Sequence, residues 1–154
     1  MFLRQAQLHE AEDLSNLCFQ SKAYWGYGDA FMESCRQELR VTEAQISSDT
    51  VIVAQSQQEL GGVAHLIVKG QTAMLDKLFI CPDFIGQGVG ALLFEKIVDE
   101  LKTLKEKTPP FFQIISDPYA KGFYEKMGAH LIGTVPSDTW PDRDLPLFEF
   151  KMCP

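Results

Sequence analysis

Two hydrophobic periods run along this chain, and their alternation predicts its elements. Met1 to Ala6 reads as a short strand, with Phe2 and Leu3 apolar. Gln7 to Gln20 carries Leu8, Ala11, Leu14, Leu17 and Cys18 at helical spacing, which predicts a first helix burying that stripe against a sheet. Ala30 to Leu39 predicts a second helix with Phe31, Cys35 and Leu39 on one side; Val41 to Asp49 is polar and reads as turn. Three strands follow at Thr50–Ala54, Leu60–Val68 and Thr72–Ile80. Short turns at Gln55–Glu59 and Lys69–Gln71 join them, which suggests an antiparallel meander. Gly61-Gly62 inside the second of these strands marks a bulge.

The best-defined stretch is Leu75 to Leu101. The run ending Leu78-Phe79-Ile80 is broken by Cys81-Pro82-Asp83, and Gly86-Gln87-Gly88-Val89-Gly90 follows. Then Ala91-Leu92-Leu93-Phe94, Ile97, Val98 and Leu101 make an apolar helical face. The order is strand, glycine loop, helix. The first amides of a helix lack intrahelical partners and carry partial positive charge. Glycines let a ligand approach them closely. Such a loop suits a phosphate or pyrophosphate without any basic side chain; the alternative is a turn that only reverses the chain. No Gly-Lys-Ser/Thr ending is present, and a dinucleotide fingerprint fails where Ala91 takes the third glycine place.

The helix runs into a charged end at 102–108 and stops at Pro109-Pro110. Phe111 to Ile115 is a short apolar run, read as a strand buried on both faces. It pairs parallel to Thr72–Ile80 if the glycine-loop helix is the crossover. Pro118 to Met127 reads as helix, with Gly128 as its stop. His130–Val135 and Leu145–Met152 are the last strands, around a polar loop at Ser137–Asp144.

Composition narrows the function. At 154 residues, with 45% hydrophobic and 23% charged residues, the chain (1–154) reads as one globular domain. A net charge of -7 disfavours nucleic acid or an anionic membrane as partner. Cys18, Cys35, Cys81 and Cys153 form no Cys-x-x-Cys pair, so no metal site is expected. With no leader or membrane-length apolar run in view, the expectation is reduced thiols in a cytoplasmic protein.

Two motifs carry a resemblance. Leu78-Phe79-Ile80-Cys81-Pro82-Asp83-Phe84-Ile85-Gly86-Gln87-Gly88-Val89-Gly90-Ala91-Leu92-Leu93 resembles the coenzyme A motif of the GCN5-related N-acetyltransferases (GNAT). Asp117-Pro118-Tyr119-Ala120-Lys121-Gly122-Phe123-Tyr124-Glu125-Lys126-Met127-Gly128 is similar to that family's second motif. The element order extends the resemblance over essentially the whole chain. It implies an α/β (α+β) GNAT-like fold: a mixed central sheet of about six to seven strands flanked by about four helices.

The resemblance also implies the chemistry: transfer of an acetyl group from acetyl-CoA (coenzyme A) to an amine. The amine must shed a proton, the thioester carbonyl must be polarised, and the leaving thiolate must be protonated. On this basis the main chain of Leu78, Phe79 and Ile80 pairs with the pantetheine arm like an added strand, and the backbone of Ile80 polarises the carbonyl. Amides from Ile85, Gly86, Gln87, Gly88, Val89, Gly90 and Ala91 cradle the pyrophosphate. Ile85 stands where the family has Arg or Gln, which removes a polar contact but no amide. Asp117 stands where the family has Asn, and accepts but does not donate hydrogen bonds. Tyr124 is the candidate general acid beside the sulfur; otherwise it is a core tyrosine. Asp76 shares the strand face of Leu78 and Ile80 and is the candidate base, otherwise a surface carboxylate. His65 is a weaker candidate base. Arg143, Asp138 and Asp142 in the last loop either contact substrate or, as the favoured reading, form a solvated loop.

Tyr24, Trp25 and Tyr27, among two glycines, either pack between helices or wall the acceptor site that the family places there. They suit an apolar, aromatic or cationic group. The expected activity is acetylation of a primary amine on a small molecule by direct attack on the thioester. The alternatives are a non-catalytic acyl-CoA-binding protein, or acetylation of a protein amine. A homodimer is a common arrangement in the family.

Overall fold

The computed structural model describes residues 1–104, 108–140 and 142–152. Cys153 and residues 105–107 of the charged end of the glycine-loop helix lie outside the described residues. Seven strands form one sheet: β1 (Phe2–Gln5), β2 (Thr50–Ser56), β3 (Glu59–Lys69), β4 (Thr72–Ile80), β5 (Phe111–Ile115), β6 (His130–Pro136) and β7 (Asp144–Lys151). Their spatial order is β1-β2-β3-β4-β5-β7-β6. Among the described residues five α-helices accompany them: α1 (Ala11–Ala23), α2 (Asp29–Cys35), α3 (Glu43–Ser48), α4 (Val89–Lys102) and α5 (Lys121–Lys126). This is the mixed α/β arrangement expected, with one helix more than the about four anticipated.

The described chain falls into two compact units, one of Met1–Leu66 and Lys77–Ile97, the other of Ile67–Asp76 with the residues from Val98 onward. In the first unit, Leu14, Leu17 and Cys18 of α1 pack with Met32 and Cys35 of α2, Leu39, Val41, and Val51, Val53 and Val63 of β2 and β3. Leu8 departs from expectation. It belongs to a separate 3-10 turn, Leu8–Glu10, and is 51% exposed. Arg4 explains that turn. Its guanidinium grips both carboxylate oxygens of Glu10 at 2.9 and 2.7 Å, and Glu10 also accepts from the Gln7 amide.

The segment Val41–Asp49 is not simply turn. Thr42 accepts from the Gln45 amide and Gln45 reaches back to the Thr42 amide, a capping box that starts α3. The bulge falls where expected: the β2–β3 register steps from Ala54↔Gly62 to Gln55↔Leu60, leaving Gly61 over. Gly62 has a different task. A Cβ there would lie 2.9 Å from Leu93 Cδ1, 3.0 Å from Ile80 Cδ1 and 3.2 Å from the Phe79 carbonyl oxygen, so a larger residue would make these neighbours give way.

In the second unit, β4 pairs parallel with β5 through Met74↔Gln113 and Leu75↔Ile114, as the crossover rule predicts. β5 is not buried on both faces. Phe112 and Ile114 are buried while Ile115 is exposed, so one face alone meets the core. β7 pairs antiparallel with β5 and β6 alike. Phe112 and Phe150 lie 5.2 Å apart, centroid to centroid, and Tyr124 lies 5.8 Å from Phe148.

Candidate active site

Within the first unit the site begins with backbone. β4 ends at Ile80, a 3-10 turn spans Pro82–Phe84, and α4 starts at Val89. Gly86 and Gly88 both have φ +82, a left-handed conformation that glycine takes without strain. A Cβ built on either meets nothing within 4 Å, so the loop turns an open face outward. Gln87 braces it from the side, donating to the Asp83 carbonyl at 3.1 Å. The amide of Leu92 bonds to the Gly88 carbonyl at 3.2 Å; the amides of Val89, Gly90 and Ala91 precede that first helical bond. Val89 is buried, which anchors the start of the helix. These residues fit a pyrophosphate: small, left-handed, open, and ending at a helix dipole's positive end.

Leu78, Phe79 and Ile80 lie further along β4 than its pairs with β5. Phe79 packs on the α1 side with the core, and Ile80 faces Leu93 of α4. The Cys81 amide bonds to the Gly61 carbonyl at 2.8 Å. The Ile80 amide donates instead to the hydroxyl of Ser21, on the last turn of α1, at 3.2 Å. No motif singles out Ser21, and the sequence pairs nothing with it, because its partner is far along the chain.

The aromatic loop divides. Tyr24 and Trp25 stay exposed at 53% and 38%, in edge-on contact with centroids 5.3 Å apart. Tyr27 turns inward, stacked on Phe31 at 4.6 Å with the Lys22 ammonium 5.2 Å over its ring. His65 is fully buried, its Nε2 2.8 Å from Asp49 Oδ2 and its Nδ1 3.4 Å from the buried Lys77 ammonium. That enclosure places it in a structural chain of polar groups, not at an open surface.

In the second unit, Tyr124 is 5% exposed. Burial, and then the nearby Asp117 carboxylate, push its phenol well above the ordinary value. Asp117 caps the turn before α5, accepting from the Tyr119 amide at 2.9 Å. Its other oxygen lies 3.6 Å from Arg143, so Arg143 is not the solvated loop residue expected. Asp76 is exposed on β4. Among the described residues, no group of His, Cys, Asp and Glu could hold a metal ion. No helix among them is long and apolar enough to cross a membrane.

A family profile described as an acetyltransferase (GNAT) domain matches residues 10–136. The chain belongs to the GNAT acetyltransferase family. It is therefore an acyltransferase, and acetyl-CoA is the family's cosubstrate. Solved structures agree on the fold. The paia N-acetyltransferase of Thermoplasma acidophilum, in complex with coenzyme A, superposes with a TM-score of 0.81 at 18% identity, covering 97% of this chain and 98% of that one. An aminoglycoside 6'-N-acetyltransferase complexed with coenzyme A gives 0.73 at 18% identity, over 100% and 98%. The ribosomal-protein-S18-alanine N-acetyltransferase of Escherichia coli gives 0.72 at 14%, over 99% and 94%. At these identities the likeness is one of fold. No curated protein matches the chain.

Proposed function

We propose that residues 1–154 are one N-acetyltransferase domain that moves the acetyl group of acetyl-CoA to a primary amine of a small molecule. The open, left-handed pair Gly86 and Gly88 ahead of the N-terminus of α4 carries this reading. The amides from Ile85 to Ala91 hold the pyrophosphate, and the main chain of Leu78, Phe79 and Ile80 holds the pantetheine arm. Asp117 accepts a further hydrogen bond from the cosubstrate.

The bound thioester supplies the acyl carbon. Around it the protein moves protons. Asp76, exposed on β4, takes the proton of the acceptor ammonium, directly or through water. Tyr124 keeps its proton at neutral pH, because burial disfavours phenolate, and delivers it to the departing sulfur. Tyr24, Trp25 and Tyr27 wall the acceptor. Exposed ring faces at Tyr24 and Trp25 suit an ammonium or an apolar body, and the aminoglycoside enzymes of the same fold act on small amines. The protein works in the cytoplasm, and two copies form a homodimer.

Release of free thiol from acetyl-CoA with a panel of small amines tests this. Turnover that depends on a small amine supports it. Binding of acetyl-CoA without turnover on any amine makes the chain a non-catalytic acyl-CoA-binding protein. Turnover only with peptides moves the acceptor to a protein amine.

A further inference from the structure

The family resemblance places the backbone of Ile80 at the thioester carbonyl, and in this structure its amide is already engaged. Successive amides of a strand point to opposite sides. The Cys81 amide points to β3, where it meets the Gly61 carbonyl. The Ile80 amide therefore points away from β3, to the edge where the pantetheine chain would add. There it meets Ser21 Oγ at 3.2 Å. Ser21 is 6% exposed and sits three positions before Tyr24, at the start of the aromatic loop.

A hydroxyl has one donor besides its acceptor lone pairs. Here the oxygen accepts from Ile80, and the hydroxyl proton is its one donor. An accepted hydrogen bond polarises the O–H and makes it a better donor. We propose that Ser21, rather than the Ile80 amide, donates to the thioester oxygen, and that the amide orients and strengthens this donor. The inference rests on the reading of β4 as the pantetheine strand. As the acceptor nitrogen bonds to the acyl carbon, negative charge builds on that oxygen, and the Ser21 hydroxyl meets it. The carbon–sulfur bond then breaks and the thiolate takes its proton elsewhere. Ser21 keeps its own proton throughout and forms no covalent bond.

Ser21→Ala and Ser21→Thr test the assignment, with acetyl-CoA isotopically labelled at the thioester carbonyl. In the intact protein, the infrared carbonyl band of the bound thioester should lie below its position in water. Ser21→Ala should return it toward the free value, and Ser21→Thr, which keeps a hydroxyl, should not. In parallel, kcat of Ser21→Ala should fall about 100-fold, with calorimetric affinity for coenzyme A unchanged and only a small loss in melting temperature from the Ile80 amide left without its partner. A band and a kcat unaltered in Ser21→Ala would overturn the proposal, since the Ile80 amide would then act directly. An acetylated Ser21 peptide, found after incubation without acceptor, would overturn it as well. Failure of the intact protein to bind acetyl-CoA at all would instead remove the reading of β4 and the glycine loop.

Discussion

Tyr124 holds its proton more tightly than a free phenol does. Burial is the main cause and the Asp117 carboxylate adds to it. An acid must be protonated to serve, so this environment keeps Tyr124 loaded across the neutral range. Tyr124→Phe should lower kcat about 100-fold while leaving the affinity for acetyl-CoA nearly unchanged; steady-state kinetics with calorimetry check this. The same shift has a sign in stability. The folded pKa lies above the unfolded value of about 10, so the folded state is the better proton binder. The contribution is complete below that value and is lost as pH rises through the folded one. Thermal melts above pH ~10 should fall more steeply for the intact protein than for Tyr124→Phe. Glu10 gives the opposite case. Its hydrogen bonds from Arg4 lower its pKa, so that pair's stabilisation is present above the ordinary carboxylate value and lost as pH falls through the lowered one.

At the scale of elements, β4, the glycine loop and α4 were the most legible part of the chain. Each has its own local signal: a strand period ending at Ile80, glycines at Gly86 and Gly88, and an apolar helical face. The strongest tests belong here too. Gly88 sits at φ +82, where an alanine is strained by roughly 1 kcal/mol. Gly88→Ala should weaken acetyl-CoA binding at least tenfold, more than its small loss in melting temperature explains, because strain and misaimed amides both act on the ligand. α3 was overlooked because Val41–Asp49 lacks an apolar stripe, yet its start was written in the sequence as Thr42 followed by Gln45. Thr42→Ala should lower stability by about 1 kcal/mol in denaturant melts and leave kcat untouched. Other features have no local signal. That β7 enters between β5 and β6, that Arg143 meets Asp117, and that Ser21 meets Ile80 all depend on pairings set by the whole fold.

The molecule as a whole is acidic, with a net charge of -7, and its proposed cosubstrate is a polyanion. Long-range electrostatics then oppose binding. Side-chain cations at the loop would offset this, but Ile85 occupies the place where family members carry Arg or Gln. The remaining attraction comes from fixed dipoles, the amides of the loop and the start of α4, which act at contact distance. Contact interactions in a close-fitting loop are screened little by salt, whereas the diffuse repulsion is screened strongly once the Debye length falls to about 10 Å or less. Affinity for acetyl-CoA should therefore stay level or tighten slightly as salt rises from about 0.05 to about 0.5 M. Ile85→Arg should reverse the trend, binding more tightly at low salt and losing that gain as salt is added, because an exposed ion pair is a screened one. Calorimetric titrations of both proteins across the salt series decide it. A steep loss of affinity with salt in the unaltered protein would mean that lysine or arginine side chains, rather than backbone amides, hold the phosphates.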